Sequence, residues 1–165
     1  MKPVMLALVG ALVAGCDYPV PLVTRPTLPM DEKVAGLWQR AIPDGKIEAL
    51  LVLSLDKETS IVSFPAGIKD SMFAKASLCR AGDRRLVQLQ WFGTARGDKP
   101  DNNQVFQFAD YTVAGDTLSV RLLNRDVVKN DVKTTDDLVK AIQANAANTT
   151  LFREPMVFKK AKPAK

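Results

Sequence analysis

The sequence predicts a mainly β domain of the α+β class, a small antiparallel barrel or half-barrel of about seven to eight strands with one helix near the C-terminus. Three observations support this prediction. Stretches in which apolar and polar residues alternate recur along the chain, and short turns rich in glycine and aspartate join them. Near Thr134 the apolar spacing changes to three and four residues, the period of a helix. A last apolar stretch follows that helix, so the hairpins have a strand with which to close.

The predicted strands are the alternating stretches between the turns. The Ala-Gly-Asp triplets at residues 81–83 and 114–116 each separate two such stretches and therefore mark hairpin turns. Pro155 lies inside the last stretch and has no amide hydrogen to donate, so that stretch is predicted to be an edge or bulged strand. The predicted strands cover residues 46–55, 60–64, 73–80, 84–92, 105–113, 117–124 and 151–158.

The predicted helix covers about residues 135–148. Leu138 and Ile142 lie on one apolar stripe, because residues four apart face the same side of a helix. Thr134 or Thr135 can accept a hydrogen bond at the helix N-terminus, and the aspartates that follow suit its positive end. We expect this single helix to pack over one opening of the barrel.

The N-terminus has the layout of a secretory signal. Residues 1–2 are a short positive start and residues 3–12 are apolar, too short a stretch to span a bilayer. The tetrapeptide Val13-Ala14-Gly15-Cys16 resembles the lipobox of bacterial lipoproteins. The resemblance implies that residues 1–15 are a signal peptide, that cleavage precedes Cys16, that its sulfur carries diacylglycerol and that the new amine is acylated.

The resemblance also implies an address. The protein is expected in the bacterial cell envelope, held on a membrane by the acylated Cys16 and facing the periplasm. Asp17 resembles the signal that retains enteric lipoproteins in the inner membrane, so we favour the inner over the outer membrane. The prolines of residues 16–33 predict a semi-rigid tether. Residues 34–158 then form the single domain and residues 159–165 a basic tail.

Composition excludes several kinds of chemistry. The 165 residues include no histidine, which removes Ser-His-Asp and Cys-His catalysis within this chain. Besides Cys16 the only cysteine is Cys79, so no intramolecular disulfide and no thiolate zinc site are expected, and Cys79 is predicted to be a buried, inert thiol. The net charge of +5 is scattered, without the basic patches typical of nucleic-acid binding. We therefore predict no enzyme, catalytic residue, metal, cofactor or nucleic-acid partner.

The start of the domain is similar to that of lipocalin-like proteins. Gly36 and Trp38 form a Gly-x-Trp motif ahead of the first predicted strand, and the order of hairpins, helix and last strand is similar too. The resemblance implies that the glycine lets the chain turn into the barrel and that the tryptophan plugs the barrel base. An arginine stacks on that tryptophan in the family, and Arg121 and Arg153 are the two arginines considered for this role.

Two binding functions remain open. The predicted inward side chains are large, which favours a filled core with function on the loops and outer faces. The first hypothesis is a protein-interaction module, an assembly accessory, inhibitor or immunity-type protein, whose partner is an envelope protein. The alternative is a lipocalin-like carrier of a small apolar or amphipathic ligand. The candidate partner-binding residues lie in the loop at residues 94–103 and are Asp98, Asp101, Asn102 and Asn103. The predicted inward residues are Ile47, Leu51, Leu53, Val87, Leu89, Trp91, Leu118, Val120 and Leu122.

Overall fold

The computed structural model describes residues 17–162. The signal peptide, Cys16 and the last three residues of the predicted basic tail lie outside this range. The described chain forms a closed, eight-stranded antiparallel barrel with a single α-helix near the C-terminus, which confirms the predicted fold class. The strands are β1 (Gly36–Ala41), β2 (Ile47–Ser54), β3 (Thr59–Phe64), β4 (Met72–Ala81), β5 (Arg84–Thr94), β6 (Phe106–Ala114), β7 (Thr117–Leu122) and β8 (Met156–Lys160). The helix α1 is Thr135–Ala144, and a 3₁₀ turn, Glu32–Val34, precedes β1.

Each strand pairs with the next along the chain, and the last strand closes the circle. Phe158 of β8 faces Leu118 of β7, while Lys160 of β8 faces Trp38 of β1. Eight strands give an interior that is just wide enough for side chains to fill or for one small ligand. No helix within residues 17–162 is long and apolar enough to cross a membrane.

The two ends of the strand order differ from the prediction. Gly36 and Trp38 are part of β1, where the sequence placed them ahead of the first strand. The φ of Gly36 is +127°, a value that favours glycine, so this residue turns the chain into the barrel. At the other end β8 starts directly after Pro155, which therefore leaves the ladder intact. Lys159 and Lys160 belong to β8, so they are not part of a free basic tail.

Residues 17–31, which we call the strap, pack along the outside of the barrel. Tyr18 pairs with Phe106 at the start of β6, and Leu28 pairs with Leu78 of β4. Between these points the Gln88 side chain accepts from the amides of residues 22 and 23, at 2.7 and 3.0 Å, and donates to the carbonyl of residue 23. The structure thus corrects the predicted tether. The prolines do keep this segment extended, but its apolar side chains bury themselves against the wall.

The helix does not cover an opening of the barrel, as the sequence predicted, but packs with the strap against the same outer wall. Thr134 caps α1 by accepting from the amide of Asp137 at 3.1 Å, and the helix ends at Ala144, earlier than predicted. The Thr135 hydroxyl donates to the carbonyl of Pro21 in the strap at 2.7 Å. Beneath them lies an apolar core outside the barrel, separate from the one inside. Its fully buried side chains include Tyr18, Cys79, Leu86, Phe108, Leu123, Val128, Leu138 and Ile142.

The inward face of the barrel was predicted correctly for β5 and β7 but incorrectly for β2. Ile47 and Leu53 are exposed on the outer wall, and Leu51 shares their side of the strand, whereas Leu50 and Val52 face the interior. The reason is that β2 is apolar at consecutive positions, so an alternating pattern fits either face equally well. The side chains of Val87, Leu89, Trp91, Leu118, Val120 and Leu122 do line the interior.

Candidate functional site

The barrel interior holds two neighbouring apolar cavities. We call the end with the β1–β2, β3–β4 and β5–β6 connections the mouth, and the opposite end the base. The cavity nearer the mouth has a volume of about 110 Å³ and the one nearer the base about 90 Å³. A ring of four side chains lines both cavities, so they lie next to each other along the barrel axis, and we call the two together the channel. The ring consists of Leu50, Val62, Leu89 and Val120.

Small inward side chains contribute to the cavity nearer the base. Ala76 pairs with Leu89 across β4 and β5, Ala109 pairs with Val87 across β5 and β6, and all four residues line that cavity. Each large side chain therefore has a methyl group beside it, which leaves free space at those levels. This corrects the predicted filled core, which rested on the large residues of single strands and left out the alanines that the sheet register sets beside them.

Trp38 closes the base. Its side chain is 0% exposed, and its indole Nε1 donates to the carbonyl of Val34 in the 3₁₀ turn at 2.8 Å. The ammonium of Lys160 lies 5.2 Å from the ring centroid, within the range of a cation–π contact. The cation over Trp38 is therefore Lys160, and neither arginine considered for that role occupies this position. Arg121 pairs with Asp110 on the outside of the barrel, and Arg153 lines the mouth.

Polar side chains gather at the mouth. The Trp91 indole donates to Gln107 Oε1 at 2.9 Å, and Gln107 Nε2 donates to Asp17 Oδ2 at 3.3 Å. Arg125 Nη1 lies 3.6 Å from Asp17 Oδ1, and Arg153 lines the same cavity. The cavity nearer the mouth is thus an apolar space with one carboxylate and two guanidinium groups at its opening.

Asp17 lies inside this mouth and is only 4% exposed. Burial raises the pKa of its carboxyl, while the hydrogen bond from Gln107 and the charges of Arg153 and Arg125 act in the opposite direction. Its backbone amide donates to the carbonyl of Phe106 at 3.0 Å, which fixes the residue at the β6 edge. The sorting role of Asp17 stays a prediction. The structure adds that the carboxylate faces the cavity.

A second charged pair lies on the other side of the mouth. Arg40 and Glu48 face each other across β1 and β2, and the Arg40 Nε donates to Glu48 Oε2 at 2.6 Å. The same guanidinium lies 5.9 Å from the centroid of Phe64 and 5.2 Å from that of Phe158. Because Arg40 is held by both a carboxylate and two rings, we expect it to form a fixed wall of the mouth.

The candidate partner-binding residues lie together in the β5–β6 connection, also at the mouth. Asp98, Asp101, Asn102 and Asn103 are all exposed. The Asn102 side chain accepts from the amide of Gln104 at 2.9 Å, which shapes the loop locally. They do not approach the base, where Gly36 and Trp38 lie. Within residues 17–162 no group of three or more histidine, cysteine, aspartate or glutamate side chains could hold a metal ion.

Cys79 lies in the outer core beneath the helix. Burial raises the pKa of its thiol to about 12, so the group is protonated at neutral pH. Its sulfur lies 3.5 Å from the carbonyl oxygen of Leu86. A protonated thiol in an apolar core has the properties of the inert side chain that the sequence predicts.

The fold and site define a closed β-barrel with an internal apolar channel, open where the described chain begins. Comparisons with models of protein families, with curated proteins and with solved structures found no match. The polar mouth itself was missed by sequence reasoning. Asp17, Gln107, Arg125 and Arg153 are far apart in the chain and share no motif. Only the closed barrel and the packed strap bring them together.

Proposed function

We propose that the protein is a non-catalytic binding protein of the bacterial envelope whose barrel holds the apolar part of a small amphipathic ligand. In this proposal the acylated Cys16 anchors it to a membrane, facing the periplasm, with the inner membrane favoured because of Asp17. The observation that carries the proposal is the apolar channel inside the barrel, with polar side chains at its mouth. Ligand sites in proteins commonly combine an apolar lining with a few placed polar groups.

The dimensions of the channel favour a slim ligand. Its two cavities of about 110 and 90 Å³ are smaller than the roughly 300–1,000 Å³ typical of sites for drug-sized molecules. An unbranched hydrocarbon chain fits such a channel better than a ring system does. Each methylene group buried there contributes about 0.8 kcal/mol. We take the mouth as the entrance, because the polar and charged side chains of the lining lie there.

The mouth chemistry favours a polar or anionic head group. Arg125 and Arg153 face one buried carboxylate, that of Asp17. The separation of 3.6 Å between Arg125 and Asp17 is longer than a normal hydrogen bond. An incoming carboxylate or phosphate would find two guanidinium groups only partly satisfied by Asp17. The ligand class is therefore an amphiphile with one apolar chain and an anionic head.

Native mass spectrometry of the purified protein tests this function, together with titration by a fluorescent fatty acid. Leu89→Trp enlarges a side chain of the shared ring, and the matched control Leu53→Trp makes the same change on the outer wall. We expect Leu89→Trp to abolish ligand retention and Leu53→Trp to preserve it. Ala76→Leu fills the same level from β4 and checks that loss of binding does not come from misfolding, with circular dichroism as the folding control. Absence of binding by the unsubstituted protein in both assays would refute the proposal.

A second candidate, the protein-interaction module, is favoured by the outer wall of β1–β3. Leu37 pairs with Leu51 and Leu53 pairs with Ile61 there, and Leu37 and Leu53 are exposed. The strap and the helix cover the opposite wall. Contiguous exposed apolar side chains are typical of protein-binding surfaces. The partner in this case is an envelope protein, and the module acts as an assembly accessory, inhibitor or immunity-type protein.

Paired substitutions separate the two candidates. Leu37→Lys with Leu53→Lys places charge on the outer wall without touching the channel. If the wall is the binding surface, in-cell cross-links to envelope proteins disappear while fatty-acid binding is retained. Cross-links that are unchanged in the doubly substituted protein would refute the protein-interaction function. The absence of cross-links in the unsubstituted protein would refute it as well.

A further inference from the structure

The described chain begins at the mouth of the barrel. Asp17 is buried there and its amide donates to the carbonyl of Phe106, so the residue that follows the proposed anchor position in the chain is fixed at the mouth. A tether of residues 16–33 would have lifted the domain from the membrane, but the strap leaves no such length. An acyl anchor attached at this point holds the mouth end at the bilayer surface.

The mouth also carries exposed apolar side chains on the side formed by β2 to β5. We call these residues the rim. They come from the start of β2, the β3–β4 connection and the end of β5, all toward the mouth end of the barrel. The rim residues and their exposed fractions are Ile47 (62%), Ile68 (51%) and Phe92 (50%). Phe92 stacks on Phe73 with a centroid distance of 6.5 Å, which adds a second aromatic ring beside the rim.

We propose that the mouth seats directly on the lipid bilayer, with the rim inserted into its interface, so that the channel opens toward the membrane and takes its ligand from there. The inference rests on the lipid anchor that the proposed function includes, and it deepens that function by naming the source of the ligand. An acyl anchor together with apolar side chains supplies the two signals that stable membrane attachment requires.

The charged side chains at the mouth determine how strongly insertion depends on the charge of the lipid. Lys46 lies 2.8 Å from Asp44 in the β1–β2 turn, and Arg96 lies 2.6 Å from Asp70 between the two following connections. Because these cations already have acidic partners, they offer little attraction to anionic lipid. Arg125 and Arg153 lie at the opening beside Asp17 and can still attract an anionic head group. Because insertion depends on the apolar rim, we expect it in zwitterionic bilayers without any requirement for anionic lipid.

The test uses the full-length, lipidated protein reconstituted into phosphatidylcholine vesicles. Ile68→Cys provides a label site at the mouth, and the matched control Leu55→Cys lies at the base, in the β2–β3 turn, where the native leucine is 59% exposed. An environment-sensitive fluorophore attaches to the new thiol, because the buried Cys79 is protonated and does not react. Ile47→Cys is a second mouth position should Ile68→Cys fold poorly.

We expect the mouth label to shift its emission to shorter wavelength and to be quenched several-fold more by quenchers placed in the acyl region than the base label. Equal quenching at both ends, a stronger effect at the base or a requirement for anionic lipid would overturn the inference. Failure of the protein to join vesicles would also overturn it, since no anchor would then hold the mouth. Native mass spectrometry of the same samples distinguishes the two proposals. Bound lipid without an emission shift of the mouth label refutes only the insertion of the mouth into the bilayer. An emission shift of the mouth label without bound lipid refutes only the ligand-binding function.

Discussion

Substitution of Tyr18 tests whether the strap is part of the folded domain. Tyr18 is 0% exposed, its ring lies 5.4 Å from that of Phe108, and its hydroxyl donates to the carbonyl of Val128 at 2.7 Å. Truncating a buried aromatic side chain to alanine costs about 3–5 kcal/mol. We therefore expect Tyr18→Ala to lower the melting temperature by about 10 °C, since 1 kcal/mol shifts a domain of this size by about 2–4 °C. Tyr18→Phe removes only the hydroxyl and should cost about 1 kcal/mol.

Guanidinium titration followed by tryptophan fluorescence measures these costs, because Trp38 and Trp91 are both buried in the barrel. Arg25→Ala is the control, since Arg25 is an exposed strap residue and surface changes usually stay within about 0.5 kcal/mol. If Tyr18→Ala were as mild as Arg25→Ala, the strap would behave as a tether and the reasoning from its packing would be refuted.

Three further predictions concern the anchor, the mouth and the loop. Cys16→Ser should release the protein from membranes or leave it unprocessed. The check is sedimentation of membranes at high salt, and a variant that still sedimented with them would contradict the lipoprotein prediction. Burial raises the pKa of Asp17, so the stability this group contributes is present below its ordinary pKa and is lost as the pH rises through the raised value. Asp17→Asn should therefore gain stability over the unsubstituted protein as the pH rises above the ordinary pKa of a carboxyl group, and thermal melts that differ by a constant amount from acidic to neutral pH would argue against it. Joint substitution of Asp98, Asp101 and Asn103 should leave the melting temperature nearly unchanged while weakening capture of an envelope partner, and intact capture in a pull-down would remove the loop as the binding surface.

Local sequence patterns were sufficient where one physical signal dominated. The period of two in β5 and β7 correctly identified their inward side chains, and Thr134 was a correct N-cap because its hydroxyl has one favourable partner, the Asp137 amide. In β2 the apolar residues occupy both faces, and the pattern could not select one. The sequence did not predict β1, because this strand has only six residues and the polar Gln39 and Arg40 follow its buried Trp38.

The features that create the site depend on long-range contacts. The cavity nearer the base has room because Ala76 and Ala109 fall beside large side chains, and that pairing is a property of register between strands. The strap is proline-rich, and its composition resembles that of an extended linker. Its packing follows from Gln88, a polar residue on the outer wall that satisfies the backbone of strap residues 22 and 23. No local pattern connects Gln88 with a segment about 65 residues earlier in the chain.

The strap also determines which residue lies at the opening. It could have packed anywhere on the barrel surface, but Tyr18 pairs with Phe106 where β7 has ended and a place beside β6 is open. That position puts Asp17 among the polar groups of the mouth. If residue 16 carries the proposed lipid, the residue next to the anchor is part of the opening, and a ligand that displaced Asp17 from Arg125 would act on that residue.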